Sequence, residues 1–174
     1  MTKLIHEETS KVGYQKISMR TFQFDNGEKR TYYISSKGET SLVLTLTTKD
    51  EVVLVRQFRP GPAKVVDELP AGKVDEGETP LDAAKRELLE ETGYTGDFEY
   101  VGSNYEGPNS NGIRHVFICT NAYKLSEQHL DELEDIEIVL VPLSEYKQRL
   151  MEGELSVTAS VYQALYYLTN KLID

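Results

Sequence analysis

The stretch GKVDEGETPLDAAKRELLEETGY, residues 72–94, predicts one short helix after a loop rich in glycine and acidic residues. Thr79 can cap the helix with its side chain, Pro80 suits the first turn, and Asp82 can reach back to the cap. Gly93 is a natural residue for the left-handed position after the last turn. We therefore expect the helix to start at Thr79 and Pro80 and to end just before Gly93.

This helix is predicted to present an apolar stripe and an acidic stripe side by side. At 100° per residue, Glu87 and Glu91 lie within about 40° of each other, and Glu90 lies about 60° to the other side. Three carboxylates therefore share one stripe. The apolar stripe, which we expect to face the core, comprises Leu81, Ala84, Leu88 and Thr92.

Two interpretations of the acidic stripe are open: a solvated helix face, or a site for a divalent metal. Like charges one turn apart destabilise a helix by about 0.2–0.5 kcal/mol in water, and partly buried carboxylates 4 Å apart would repel by roughly 4 kcal/mol. Arg86 can relieve Glu90 at i,i+4, whereas Glu87 and Glu91 have no basic neighbour at i±3 or i±4. A divalent cation would turn this repulsion into chelation, and Mg²⁺ suits carboxylates combined with substrate phosphates.

Strand-like runs lie on both sides of the acidic helix, and two further helices close the chain. Their order predicts an α/β sandwich in which helices cover a mixed sheet. A turn at Asp25-Asn26-Gly27 predicts a hairpin, so residues 1–40 are expected to form an additional antiparallel element before a domain at 41–174. The predicted strands are Tyr14–Phe24, Lys29–Ser35, Ser41–Thr47, Val52–Phe58, Glu99–Tyr105, Ile113–Ala122 and Ile136–Val141, and the last helices cover about Leu143–Met151 and the stretch from about Val157.

Composition excludes several classes of protein. The chain has 174 residues, and 29 acidic against 19 basic side chains leave a net charge of −10, which argues against non-specific nucleic-acid binding. A single cysteine, Cys119, excludes an intrachain disulfide and a cysteine-rich zinc site. No secretory signal or apolar membrane span is evident, so a cytoplasmic protein without membrane contact is expected.

The helix and its preceding loop resemble the Nudix box, G-x5-E-x7-R-E-U-x-E-E-x-G-U, in which U is apolar. Tyr94 stands where an aliphatic residue is usual, and the strand pattern around the box resembles the family's α/β/α sandwich. The resemblance implies an enzyme that uses Mg²⁺ or Mn²⁺ to hydrolyse nucleoside diphosphates linked to another moiety. The matching residues are Gly72, Glu78, Arg86, Glu87, Leu88, Glu90, Glu91, Gly93 and Tyr94.

The resemblance also implies roles for individual residues. Glu87, Glu90 and Glu91 would ligate the metal, with Glu87 and Glu91 central to catalysis, and Ala71 would add its backbone carbonyl. Gly72, Glu78 and Arg86 would support these ligands, Arg86 by orienting the glutamates. A further carboxylate would accept the proton of the attacking water. Glu134 matches that place best, with Glu137 in reserve, although the surrounding acidic run is also typical of a solvated loop.

A weaker resemblance concerns the substrate. Residues 55–60 (VRQFRP) and 68–72 (ELPAG) resemble the ADP-ribose and nucleotide-sugar pyrophosphatases, in which Arg59 would touch the diphosphate and Glu68 would lie at the substrate site. Arg56 and Arg114 are further candidates for substrate binding. That group also uses its N-terminal segment to form a swapped homodimer.

The expected reaction is therefore cleavage of ADP-ribose, or a related nucleoside diphosphate sugar, into a nucleoside monophosphate and a sugar phosphate. The loop at residues 107–112 departs from the pattern of many ADP-ribose pyrophosphatases, because its proline comes one position early and no matching glutamate follows. A Nudix hydrolase for a dinucleotide or a modified nucleotide therefore stays open, as does a non-catalytic nucleotide-binding module.

Overall fold

A computed structural model describes residues 1–13, 15–130, 135–155 and 159–171. These residues form strands β1 (Lys3–Val12), β2 (Gln15–Gln23), β3 (Lys29–Ser35), β4 (Glu39–Thr47), β5 (Glu51–Arg59), β6 (Lys64–Glu68), β7 (Ala71–Lys73), β8 (Tyr94–Tyr105), β9 (Ile113–Lys124) and β10 (Glu137–Pro142), and helices α1 (Pro80–Thr92), α2 (Leu143–Glu152) and α3 (Ala159–Lys171). None of the helices in these ranges combines the length and apolar character that a bilayer span requires.

The chain divides into two compact units. Unit 1 comprises Met1–Glu39 and Asn104–Arg114, and unit 2 comprises the described residues of Thr40–Ser103 and His115–Asp174. The N-terminal element predicted at residues 1–40 does not include the stretch around residues 104–114. Their association in unit 1 depends on tertiary hydrogen bonds, because the backbone N–H of Ser35 donates to the carbonyl of Asn109 at 2.8 Å.

Unit 1 contains an antiparallel sheet in the order β1-β2-β3. The predicted turn joins β2 to β3, with Gly27 at φ 82° in the left-handed region that favours glycine. β1 was not predicted, and all ten of its residues are exposed. A strand that buries neither face needs no alternation of apolar and polar residues, so its sequence lacks the usual signal.

Unit 2 is an α/β/α sandwich around a seven-stranded sheet, which confirms the predicted fold class. The central path runs β10-β5-β4-β9-β8, with β6 added to β5 and β7 to β4. On one face, α2 and α3 pack against alternate residues of β4 and β5, such as Leu44 and Leu54. On the other face, α1 packs through Ala84 and Leu88 against Val43 of β4.

Helix α1 begins and ends where the sequence predicts. The Thr79 hydroxyl accepts a hydrogen bond from the Asp82 N–H at 3.2 Å, and Gly93 (φ 72°) donates its N–H to Leu89 at 2.7 Å. The expectation that Leu81 faces the core is wrong, because this side chain is 37% exposed. Ala83 is fully buried in its place. The first turn borders an open pocket of about 360 Å³, lined by Thr79, Pro80, Leu81, Phe98, Tyr100, His115 and Phe117.

Helices α2 and α3 supply the larger of the two apolar clusters. Tyr146 and Leu150 of α2, and Val161, Ala164 and Leu168 of α3, are buried in it. The beginning of the last helix was predicted near residue 157, which lies outside the described residues.

Candidate metal and substrate site

The three glutamates of α1 differ sharply in their surroundings. Glu91 is buried, at 5% exposure, and its carboxylate accepts the backbone N–H of Ala71 at 3.1 Å. The side chain of Glu87 is 16% exposed, whereas that of Glu90 is 43% exposed. The acidic stripe therefore runs from the protein interior at Glu91 to solvent at Glu90.

Arg86 is the cation that holds this stripe together. Its Nη1 donates to Glu87 at 2.9 Å and to Glu90 at 3.1 Å. The ion pair with Glu90 at i,i+4 confirms the prediction. Glu87 has no basic neighbour at i±3 or i±4, but the long arginine side chain also reaches Glu87 as its immediate neighbour, a contact that the spacing rule does not cover.

The other edge of the Arg86 guanidinium binds the loop before the helix. Nε and Nη2 each donate to one carboxylate oxygen of Glu78 at 2.9 Å, and Nη2 also donates to the carbonyl of Lys73 at 2.9 Å. This bidentate bond, together with the N–H of Asp75, lowers the pKa of Glu78 from 4.5 to about 2. The same contact with Glu78 raises the pKa of Arg86. The loop and the helix are therefore joined by one charge-assisted network.

Gly72 leaves room for Glu87. A Cβ atom at residue 72 would lie 1.8 Å from Cδ of Glu87 and 1.9 Å from its Oε1. No side chain larger than hydrogen fits there unless the carboxylate moves. The glycine that begins the box thus forms a cradle for one of the candidate metal ligands.

The candidate ligands at this site have the chemistry that a hard divalent cation requires. Carboxylates from Glu87, Glu90 and Glu91 and a carbonyl from Ala71 are the oxygen donors that such ions prefer. Within the described ranges, no three His, Cys, Asp or Glu side chains stand in a ready ligating cluster. Arg86 pairs with Glu87 and Glu90, and Glu91 accepts the Ala71 N–H. A bound cation would compete with Arg86 for the first two carboxylates.

Arg59 and Glu68 lie on the face of the sheet that carries α1. Nε of Arg59 donates to Oε2 of Glu68 at 2.6 Å, and the Gln57 amide donates to the same oxygen at 3.3 Å. The face follows from alternation, because Val52 pairs with Leu46 in the cluster under α2 and α3, so the odd-numbered residues of β5 point the other way. The structure therefore brings this arginine and glutamate to the same side as the acidic helix.

Arg56 lies on the opposite face of the same strand. It forks onto Asp67 at 2.7 and 3.0 Å, and Arg149 of α2 donates to the same carboxylate at 2.6 Å. Burial disfavours the charge on Asp67, but the two guanidinium groups outweigh it and lower its pKa. The structure does not bring Arg56 together with the α1 glutamates. Glu137, the reserve proton acceptor, is on this face too, 3.9 Å from Arg56.

The last two candidates are Arg114 and Glu134. Arg114 belongs to unit 1, where its Nη2 donates to Glu106 at 2.8 Å beside the ion pair of Glu106 with Lys37. Glu134, the candidate proton acceptor, lies outside the described residues.

Two polar side chains that organise unit 2, Asp67 and Gln128, are not among the residues predicted from the sequence. Asp67 is buried, and Gln128 bonds two separate backbone carbonyls. For Gln128 no local sequence signal exists. For Asp67 a signal does exist: strict alternation along residues 52–59 places Arg56 and Arg59 on opposite faces, so Arg56 needed a separate partner.

Unit 2 is an α/β/α sandwich in which one helix carries three glutamates and an arginine that binds two of them, and a glycine leaves room for one of these glutamates. These features together are typical of a class of metal-dependent hydrolases. Residues 37–161 match the NUDIX domain, and the chain belongs to this family. It is thus a Nudix hydrolase, an enzyme that acts on a pyrophosphate bond. Such enzymes generally use a divalent metal.

Among the curated relatives that cover most of the chain are two pyrophosphatases. An ADP-ribose pyrophosphatase of Bacillus subtilis (strain 168) is 33% identical over 152 residues, which are 86% of this chain and 82% of the relative. A GDP-mannose pyrophosphatase of Salmonella typhimurium (strain LT2) is 30% identical over 175 residues, 90% of this chain and 91% of the relative. A solved structure described as an ADP compounds hydrolase superposes with a TM-score of 0.83 at 22% identity, covering 98% of this chain and 94% of its own, which shows the shared fold.

Proposed function

We propose that this enzyme is a Mg²⁺-dependent pyrophosphohydrolase that cleaves the diphosphate of ADP-ribose or a related nucleoside diphosphate sugar. The single observation that supports it best is the buried Glu91 carboxylate held at the backbone of Ala71, with Glu87 one turn away in the cradle of Gly72. A buried, acidic and oxygen-rich corner of this kind suits a hard cation and its phosphate ligand. The names of the two relatives support a sugar-linked nucleoside diphosphate as the substrate.

Glu87, Glu90 and Glu91, with the carbonyl of Ala71, would hold the metal, and Mn²⁺ would substitute for Mg²⁺. When bound, the cation neutralises the diphosphate and lowers the pKa of a bound water. Arg86 keeps the glutamates and the preceding loop together, because its guanidinium binds Glu78 on one edge and Glu87 and Glu90 on the other.

Arg59 is the proposed contact for the diphosphate. Its guanidinium is partly exposed on the α1 face, and Glu68 holds it through Nε, so its remaining N–H groups can meet phosphate oxygens. Glu134 is the proposed acceptor for the proton of the attacking water. Arg114 stays a candidate for a second contact to the substrate. Arg56 is better explained as a partner of Asp67, since it lies on the other face of the sheet.

The proposed reaction is the hydrolysis of the anhydride bond between the two phosphates. The oxygen of one water forms a bond to a phosphorus atom of the diphosphate, and the bond from that phosphorus to the bridging oxygen breaks. The bridging oxygen leaves with the other phosphate, and the proton lost by water goes to a carboxylate. The products are a nucleoside monophosphate and a sugar phosphate.

We also propose that the enzyme works as a homodimer formed through residues 1–40. The support is β1, which leaves all ten of its residues exposed, including Leu4 and Ile5 at 43% and 39%. Light scattering coupled to size exclusion, applied to the full chain, tests this assembly. A monomer at micromolar concentration would contradict it.

A substrate panel tests the proposed activity. ADP-ribose, GDP-mannose, UDP-glucose, NADH and diadenosine polyphosphates are each incubated with enzyme and Mg²⁺ or Mn²⁺, and the products are resolved by chromatography. We expect ADP-ribose or another nucleoside diphosphate sugar to be cleaved fastest, with no turnover in EDTA. Preference for NADH or a dinucleotide would replace the substrate assignment, and binding without any cleavage would indicate a non-catalytic module.

A further inference from the structure

The C-terminal end of α1 is capped by a segment distant in sequence, residues 125–129. The N–H groups of Leu125 and Ser126 donate to the carbonyl of Gly93 at 2.8 and 3.2 Å, and that of His129 donates to the carbonyl of Glu90 at 2.9 Å. The approach is close, since a Cβ at Gly93 would lie 2.1 Å from the Ser126 carbonyl oxygen. The last carbonyls of a helix have no partner within the helix, so this segment satisfies some of them.

Gln128 extends this cap to a third element. Its Nε2 donates to the carbonyl of Glu91 at 2.7 Å and to the carbonyl of Ile136, the residue before β10, at 3.1 Å. A primary amide has two N–H groups, so both bonds form at once. Gln128 therefore links the last turn of α1 to the beginning of β10.

Glu91 is consequently held at two points. Its carboxylate accepts the N–H of Ala71, and its carbonyl accepts the Gln128 amide. Its neighbour Glu90 is held through its carbonyl by His129. Two of the three candidate metal ligands thus have backbones fastened from outside the helix. Mg²⁺ demands near-ideal octahedral geometry, so the placement of these carboxylates sets how well the ion binds.

We propose that Gln128 is a positioning residue for the metal-binding turn of α1, acting through the backbone of Glu91. The proposal rests on the function proposed above, because it presumes that Glu90 and Glu91 ligate a divalent cation. A purely structural role predicts lower stability alone, whereas a positioning role predicts weaker metal binding in protein that is still folded.

Two variants separate these roles. Gln128→Met keeps the length of the side chain and removes both donors. Gln128→Glu keeps its shape and polarity and replaces the donors with an acceptor facing two carbonyls. Gln148→Met is the matched control, since the Gln148 amide lies on α2 and donates to the exposed Glu152.

The measurement is Mn²⁺ binding to the full chain without substrate, from the electron paramagnetic resonance signal of free Mn²⁺. We expect the dissociation constant for Mn²⁺ to rise about tenfold in both Gln128 variants. This is the lower end of the range seen when a residue that holds a metal ligand in place is lost. In Gln148→Met the dissociation constant should stay at the wild-type value. Saturating metal should restore kcat, and KM for the diphosphate substrate should not change. Circular dichroism identifies the folded variants.

Unchanged Mn²⁺ affinity in either folded Gln128 variant would overturn the positioning role. Glu91→Gln, measured in parallel, keeps the two proposals apart. If that variant also binds Mn²⁺ as wild type does, the proposed metal site itself is wrong, whereas loss of binding in Glu91→Gln alone refutes only the role of Gln128.

Discussion

Gly72 and Glu87 are in direct contact, because a Cβ atom at residue 72 would lie only 1.8 Å from the carboxylate carbon of Glu87. Glu87 can therefore keep its position only while residue 72 is glycine. Gly72 lies in β7 and Glu87 in α1, so this contact sets how near the helix comes to the short strand. The same approach brings the N–H of Ala71 to the carboxylate of Glu91. One missing side chain therefore shapes the corner in which the metal is proposed to bind.

Gly72→Ala should displace the Glu87 carboxylate and impair the metal site. The added methyl group cannot coexist with Glu87 in its present position, so we expect weaker Mn²⁺ binding and a loss of turnover of about 10- to 100-fold. Titration calorimetry with Mn²⁺ and a turnover assay measure both effects. Gly38→Ala is the control, because nothing lies within 4 Å of its added Cβ. Normal metal affinity in Gly72→Ala would show that Glu87 is not a ligand.

Glu91→Gln should abolish most metal-dependent turnover while the fold persists. The amide oxygen can still accept the Ala71 N–H, so packing is kept, but the negative charge that a cation requires is lost. We expect kcat to fall by more than about 100-fold, because losing a metal ligand should cost more than losing a residue that only holds such a ligand in place. Glu145→Gln, at an exposed glutamate of α2, should behave as wild type. Near-wild-type rates in Glu91→Gln would refute the metal assignment.

Substitutions of Arg59 and Arg56 should have different effects, because the two side chains lie on opposite faces of β5. Arg59→Ala should raise KM for a diphosphate substrate about tenfold, the scale of one hydrogen bond to a charged group. Arg56→Ala should instead lower the free energy of unfolding by about 1–3 kcal/mol, because the buried Asp67 loses its forked partner. Steady-state kinetics and urea denaturation of both variants check this contrast. An unchanged KM in Arg59→Ala would remove that residue from the site.

The ion pair of Glu78 with Arg86 should make stability depend on pH in acid. The pKa of Glu78 falls from 4.5 to about 2 on folding, so its charged form stabilises the fold above pH 4.5 and loses that effect as the pH falls toward 2. Glu78→Gln should therefore lower Tm near neutral pH, and its difference from wild type should close between about pH 4.5 and 2. Melting curves across this range measure it, with the exposed Glu76→Gln as control. A constant difference across the range would contradict the ionic origin.

Cys119 should be inert in the folded protein. The thiol is fully buried, and burial raises its pKa to about 12, so little thiolate is present or accessible at pH 8. We expect no reaction with a colorimetric thiol reagent at pH 8 until denaturant is added, when one thiol per chain should appear. Rapid labelling of native protein would show that the strand opens locally.

Much of the fold could be predicted because its signals are local. The caps of α1 act within a few residues of Thr79 and Gly93, so a single sequence contains them. The hairpin turn before β3 is local in the same way. β1 could not be predicted, because a strand that is exposed along its whole length needs no alternation of apolar and polar residues.

The amino-acid sequence alone determined that three glutamates and an arginine share two turns of one helix, because helical spacing depends only on position in the chain. Tertiary structure decided what each of them does: Glu91 is buried against Ala71, Glu90 is exposed, and Arg86 divides its donors between loop and helix. It also gave Arg56 the buried Asp67 as its partner and brought Gln128 to the end of α1. These outcomes depend on contacts between residues distant in the chain, which no local pattern encodes.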